Sequence, residues 1–302
     1  MEYVTYKNEK ISKLLLGTVQ FGLNYGIANK HGKPKEEDVK EILKYVLENG
    51  INSFDTAQTY GTSEEVLGKV LPFSSTNKII SKCSSEIFSF SALNSLKESL
   101  KRLNTTSLYA LLLHDTSLLK SWSVKENKIL KSLKKEKLIS HFGISIYTNE
   151  EFMLAINNEA IELIQIPFNL FDQRALKYKW FELAKKSNKL LIIRSVFLQG
   201  LFFMQEKNLD SSMKEVTPHL QSLDKLSKEL NLSRQELALT FANHNLDSPI
   251  LFGCETLVQA YENIVAYKNL RVLTPLEIKK IYTTFKNVKE NVYNPTFWGK
   301  ND

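Results

Sequence analysis

Eight short apolar runs recur along this chain, each followed by a stretch patterned as a helix, and that alternation restricts its fold more than any other feature. The runs are KLLLGTVQF (13–21), NSFDTA (52–57), NKIISKC (77–83), LYALLLHD (108–115), HFGISIY (141–147), ELIQIPF (162–168), LLIIRSVF (190–197) and SPILFGC (248–254). Both sides of each run are apolar, as in strands covered on both faces of a parallel sheet. Between them, PKEEDVKEILKYVLENG (34–50) has Pro34 and acids at its start, Val39, Ile42, Leu43, Val46 and Leu47 on one stripe, and Gly50 as a stop. Thr62 with Glu65 reads as a capping box opening the next helix. Phe90, Leu93, Leu96, Leu100 and Leu103 form a further stripe, and later helices are expected over 149–158, 178–187, as a pair within 222–245, and over 256–268. Eight strand and helix units predict a closed (β/α)8 barrel, an α/β fold, spanning residues 1–302 as one domain. The rival, an open doubly wound sheet, would carry G-x-G-x-x-G in its first strand-to-helix turn, which here is VQFGLNYG. Gly200 to about Pro218 is a candidate lid loop or short extra segment, and the tail from about 270 to 302 is expected to pack over one mouth of the barrel.

Composition narrows the partners. The net charge of +7 comes mostly from Lys interleaved with Glu, as in KSLKKEK (131–137), which is the pattern of a solvated face and not of a stripe for nucleic acid. Cys83 and Cys254 each sit in an apolar run, so no disulfide framework is implied and a reducing cytoplasm fits. The start of the chain does not have the form of a secretory signal, and no apolar run approaches the roughly 18 residues a membrane span needs. The expected protein is soluble and cytoplasmic, with no nucleic-acid, membrane or metal partner; its oligomeric state is not readable.

In a barrel of this kind the loops after the strands surround a shared cavity, so polar residues at strand ends carry the chemistry. Those residues are Asp55, Lys82, which follows it by 27 residues, and His114, a further 32 along; Tyr60 lies in the loop after Asp55. A Tyr hydroxyl is a weak acid near neutrality, a neighbouring ammonium makes it a better proton donor, and a buried carboxylate would keep that ammonium charged. His114 would hold a substrate oxygen from a second direction. Singly, Asp55 reads as a turn residue, Tyr60 as a packing aromatic, Lys82 as a surface lysine and His114 as a satisfied core histidine; together they form a group able to polarise a carbonyl and protonate its oxygen.

GTVQFGLNYGIAN, DTAQTYGTSEEVLG, SKCS, LLLHD, LISHFGISIY, LIQIPFNLFD and ILFGCETLVQAYEN, in this order and spacing, resemble the aldo-keto reductases along nearly the whole chain. The resemblance implies a (β/α)8 barrel that reduces an aldehyde or ketone with NADPH, or NADH, as cofactor. It gives catalytic roles to Asp55, Tyr60 as proton donor, Lys82 and His114. For the cofactor it implies Ser145 and Gln165 on the nicotinamide amide, with Ile146 where an Asn is usual, and Arg194 where many relatives stack an aromatic ring. Ser195, Leu198 and Gly200 would line the pyrophosphate, and Gly253, Glu255, Gln259, Glu262 and Asn263 would meet the adenosine end. Gln259 replaces a frequent Arg, and Glu255 would repel a phosphate dianion at 4 Å by about 1 to 4 kcal/mol, so NADH use stays open. Tyr25, Phe297 and Trp298 are candidates for a substrate wall suited to a sugar or sugar-derived carbonyl, with Phe21 and Trp122 as weaker ones.

Two other functions remain at this stage. Lys82 is also where a Schiff-base aldolase would keep its nucleophile, although Asp55 beside it would hold the amine protonated. The same barrel could serve as a cofactor-binding regulatory subunit with little turnover, as the potassium-channel beta subunits of the family suggest.

Overall fold

The computed structural model describes residues 1–72, 74–209, 211–244 and 247–298; residues 299–302 of the tail and Asn245 at the end of the expected helix pair lie outside the described residues. Strands β1 (Tyr3–Tyr6) and β2 (Glu9–Ser12) pair as an antiparallel hairpin. The eight that follow are β3 (Leu14–Gly17), β4 (Ser53–Asp55), β5 (Lys78–Cys83), β6 (Leu108–Leu113), β7 (Ile139–Ser145), β8 (Leu163–Pro167), β9 (Leu190–Arg194) and β10 (Ile250–Gly253). They form a closed parallel barrel in chain order, completed where Leu14–Gly17 of β3 pairs residue for residue with Ile250–Gly253 of β10.

The period of two along each strand explains why both sides of the runs are apolar. Leu14 and Leu16, Ile79, Leu111 and Leu113, Ile164 and Ile166, and Leu191 and Ile193 join the helices in the main core. Leu15, Ile80, Ala110 and Leu112, Leu163, and Leu190 and Ile192 form a second cluster inside the barrel. Because alternate residues share a face, the inward row runs on from Leu15 to Gly17, Ile80 to Lys82, Leu112 to His114 and Leu163 to Gln165. The apolar plug and the polar site are successive layers of the same stripe.

The hairpin was not expected from the sequence, since its four-residue strands are partly exposed and carry no long apolar run. It turns at Lys7 and Asn8, both with positive φ, and covers the end of the barrel where the strands begin. The Tyr6 hydroxyl donates to the carbonyls of Glu162 and Asn188 at 3.2 Å each, and Ile11 enters the inner cluster. The Glu9 carboxylate meets the Lys78 ammonium and the His141 ring.

Several local expectations are corrected. Thr62 is the N-cap of helix Ser63–Val70 but makes no capping bond; its hydroxyl accepts from the Lys33 ammonium instead, so the capping box with Glu65 is absent. Phe90 is 82% exposed, because non-helical Ser91 kinks helix Ser85–Arg102 and Phe88 takes the inward place against Trp122 and Phe142. The helix expected over 178–187 is present as Trp180–Lys186, beginning after left-handed Lys179, with a separate short helix Arg174–Lys177 before it. Of the two readings of the segment after β9 the structure has the short extra segment, not the lid: it folds into turns at Leu198–Phe203, Glu206–Asn208 and Ser211–Val216, tied down by buried Leu201, Phe202, Met213 and Val216. In the tail, helix Pro275–Phe285 lies beside helix Thr217–Leu230 through the Lys280–Glu229 ion pair, and Phe285 packs on Phe171. Among the described residues no helix is long and apolar enough to cross a membrane.

Candidate active site

Lys82, buried on the inward row of β5, organises the cavity floor. Its ammonium donates to the Asp55 carboxylate at the end of β4, to the Thr56 carbonyl at 2.9 Å and to the Tyr60 hydroxyl at 3.4 Å. Burial opposes its charge, but Asp55 and Tyr60 together raise its pKa above the ordinary lysine value, so it stays an ammonium. The other Asp55 oxygen accepts from the Gln165 side-chain amide, which arrives from β8. Tyr60 is held by a tight loop. Its N–H donates to the Ala57 carbonyl at 3.1 Å, and its own carbonyl accepts from Ser63 at 3.0 Å. Gly22, after β3, lies so close beneath that a Cβ there would fall 1.8 Å from the Tyr60 oxygen.

His114 follows β6, its ring 5.6 Å from that of Tyr60 and nearly perpendicular to it. Burial, then the positive charges of Lys82 and Arg194, push its pKa down to about 4, so the imidazole is neutral at neutral pH. Nδ1 pairs with the Thr59 hydroxyl at 3.0 Å, which leaves Nε2 as the nitrogen for a substrate oxygen.

These four side chains share a cavity of about 620 Å³ with Ser145, Gln165, Arg194, Ser195, Gly200, Gly253, Glu255, Gln259, Glu262, Asn263 and Tyr25. Three expected residues are not in its wall. Leu198 is buried in the core, its place taken by Gln199 beside it. Phe297 is exposed, and Trp298 donates from Nε1 to the Asn291 carbonyl; the described tail, as far as Trp298, packs along the helices after β9 and contributes no residue to the cavity wall. Phe21 and Trp122 are also elsewhere, Phe21 fully buried and Trp122 stacked on Phe88. The cavity gains Gln20, Tyr147, Gln199, Phe203 and Gln235, which the sequence reasoning passed over. Tyr147 lies two residues beyond Ser145, so the same alternation points to it.

The donor set suits a nicotinamide dinucleotide. Gln165 spends its amide nitrogen on Asp55, and its Oε1 is buried with no partner; Ser145 is its neighbour across the sheet. A free acceptor beside a hydroxyl matches the two ends of a carboxamide. The Arg194 guanidinium lies 4.1 Å over the Tyr147 ring and donates to the Ile146 carbonyl at 3.0 Å, holding it against the cavity wall. Gly200, at φ +87°, brings the chain so near Ala28 that a Cβ would meet that of Ala28 at 2.6 Å, and the two loops meet at one side of the cavity.

Comparison with known proteins identifies the family and the fold. The model of the aldo/keto reductase family matches residues 13–284. D-arabinose 1-dehydrogenase of Saccharomyces cerevisiae is 26% identical over 266 residues, 78% of this chain and 78% of that protein. The holo form of an aldo-keto reductase from Bacillus halodurans shares the fold with a TM-score of 0.75 at 20% identity, over 98% of each chain. A glycerol dehydrogenase from Gluconobacter oxydans does so at 0.75 and 19% identity, over 98% of this chain and 99% of that one.

Proposed function

The chain belongs to the aldo/keto reductase family, and from that premise we propose that it is an NAD(P)H-dependent oxidoreductase reducing an aldehyde or ketone to an alcohol, with Tyr60 as proton donor. The observation that carries this is the Lys82 ammonium, bonded at once to the Asp55 carboxylate and the Tyr60 hydroxyl on the floor of a dinucleotide-sized cavity. The substrate oxygen would lie between Tyr60 and His114. Neutral His114 donates to it from Nε2 and fixes its place. As negative charge grows on that oxygen the Tyr60 hydroxyl gives up its proton, and the adjacent ammonium stabilises the phenolate left behind. Asp55 keeps Lys82 charged throughout, which also removes the free amine that Schiff-base chemistry needs.

When bound, the reduced nicotinamide supplies the hydride. Ser145 and Gln165 would hold its carboxamide and Arg194 would lie beside its ring; Ser195, Gly200 and Gly253 would border the pyrophosphate, and Glu255, Gln259, Glu262 and Asn263 the adenosine. The names of the yeast and Gluconobacter relatives, an arabinose and a glycerol dehydrogenase, together with Tyr25, Tyr147 and Asn29 in the wall, favour a polyhydroxylated carbonyl. The buried, unpaired thiols of Cys83 and Cys254 fit a reducing cytoplasm. The test is a panel of sugars, hydroxyketones and simple aldehydes with either reduced cofactor, followed by nicotinamide absorbance. Tyr60→Phe should lose at least about a hundredfold in kcat; undiminished turnover would overturn the assigned acid, and cofactor binding without turnover across the panel would favour a regulatory subunit.

A further inference from the structure

We propose that the adenosine end of the cavity is built for an unphosphorylated ribose, so that the cofactor is NADH and not NADPH. The inference rests on the reading of the cavity as a nicotinamide dinucleotide site, and reverses the NADPH expected from the sequence resemblance.

With the carboxamide beside Ser145 and Gln165, the cavity's other lobe, around the start of helix Leu257–Lys268, receives the adenosine. The cations among the described residues lining the cavity are Lys82 and Arg194, both at the reaction end. Lys82 is committed to Asp55 and Tyr60, and Arg194 to Ile146 and the Tyr147 ring. The adenosine lobe holds instead two carboxylates, Glu255, only 9% exposed, and Glu262. Its neutral amides, partly engaged with one another, carry no charge to replace a cation. Gln259 forms a closed pair with Glu255: Nε2 donates to the carboxylate at 3.0 Å, and Oε1 accepts from the Glu255 N–H at 2.9 Å. Gln235 donates to Asn263 Oδ1 at 2.7 Å. Next to Gln235, Arg234 is held away by a fork to Asp224, at 2.7 Å to each oxygen, and by the Phe202 and Met204 carbonyls.

A helix start would itself welcome an anion. Here that place is taken: Glu255 stands just before the cap, and the Thr256 hydroxyl already accepts from the Gln259 N–H at 3.2 Å. A 2′-phosphate would bring a second dianion against a nearly enclosed carboxylate with no counter-charge. A 2′-hydroxyl would instead find in Glu255 an acceptor with lone pairs to spare, the same recognition that acidic residues give the NAD ribose in other folds.

The experiment is calorimetric titration of the full chain with NADH and with NADPH, without substrate, followed by displacement of bound NADH with 5′-AMP and with adenosine 2′,5′-bisphosphate. NADH should bind at least roughly tenfold tighter, and 5′-AMP should compete better than the bisphosphate. Glu255→Gln, and independently Gln259→Arg should the first variant fold poorly, should narrow the gap by raising NADPH affinity, with far-ultraviolet circular dichroism as the check of folding. NADPH binding as tightly as NADH, or a gap unmoved in a folded variant, overturns the inference while leaving the reductase reading intact. Failure of both dinucleotides to bind overturns the reading on which it rests.

Discussion

His114 is a histidine kept from its proton, and that has a measurable cost. Its pKa lies near 4 in the folded protein against the ordinary 6.5. Between those values the unfolded chain binds a proton that the folded chain refuses, so stability falls as pH drops from about 6.5 to 4, by up to about 3 kcal/mol at that one site. Urea unfolding followed across this range should show the loss in the parent and a flatter profile in His114→Asn. Asp55 has the reverse duty. Replacing it with Asn leaves Lys82, wholly enclosed, without its counter-ion, and the expected destabilisation is about 3 to 5 kcal/mol, measurable in the same assay. At this scale the floor of the site was legible in the sequence because alternation on a strand assigns faces without further information: Asp55, Lys82, His114 and Gln165 all fall on the inward row. Phe297, Trp298 and Leu198 were not legible. Whether an aromatic in a tail reaches a distant cavity depends on where a surface helix docks, which no local pattern encodes. Phe297→Ala should accordingly leave cofactor affinity unchanged by titration.

Among the elements, the loop of Tyr60 depends on the loop before it. Gly22 leaves room for the Tyr60 carbonyl, and an alanine there would place a methyl 1.8 Å from that oxygen and 2.5 Å from the Ser63 nitrogen. Both contacts are backbone, so the loop must shift. Gly22→Ala should reduce kcat steeply, as displaced acids do, while changing cofactor affinity less, since Gly22 is not among the described residues lining the cavity; steady-state kinetics with calorimetry separates the two. Helices with strong apolar stripes were read correctly to within a few residues, as Glu36–Glu48 shows. The misreadings sit at breaks and caps: Ser91 turns Phe90 outward, and Thr62 gives its hydroxyl to Lys33 instead of to a cap. Each is a tertiary contact or a backbone twist overriding a local preference, as is usual for caps and kinks.

For the whole molecule, closure joins the two ends of the chain. Because β10 pairs with β3, a chain cut before Ile250 leaves two parallel strands with unpaired edges, and no contiguous half of the barrel is complete. Such truncations should be unfolded or aggregated by circular dichroism and size-exclusion chromatography, and the intact chain should unfold in a single transition. The barrel itself was legible from eight repeats of similar length; the hairpin at its base was not, since two four-residue strands give too little periodicity to stand out. That hairpin nonetheless backs the apolar plug of Leu15, Ile80, Leu112 and Ile192 from below. With the plug in place and Tyr6, Glu9 and Ile11 stoppering the end where the strands begin, the barrel is a cup with a single rim: whatever settles at the bottom must depart by the way it came, and a spent molecule still in place bars the next arrival.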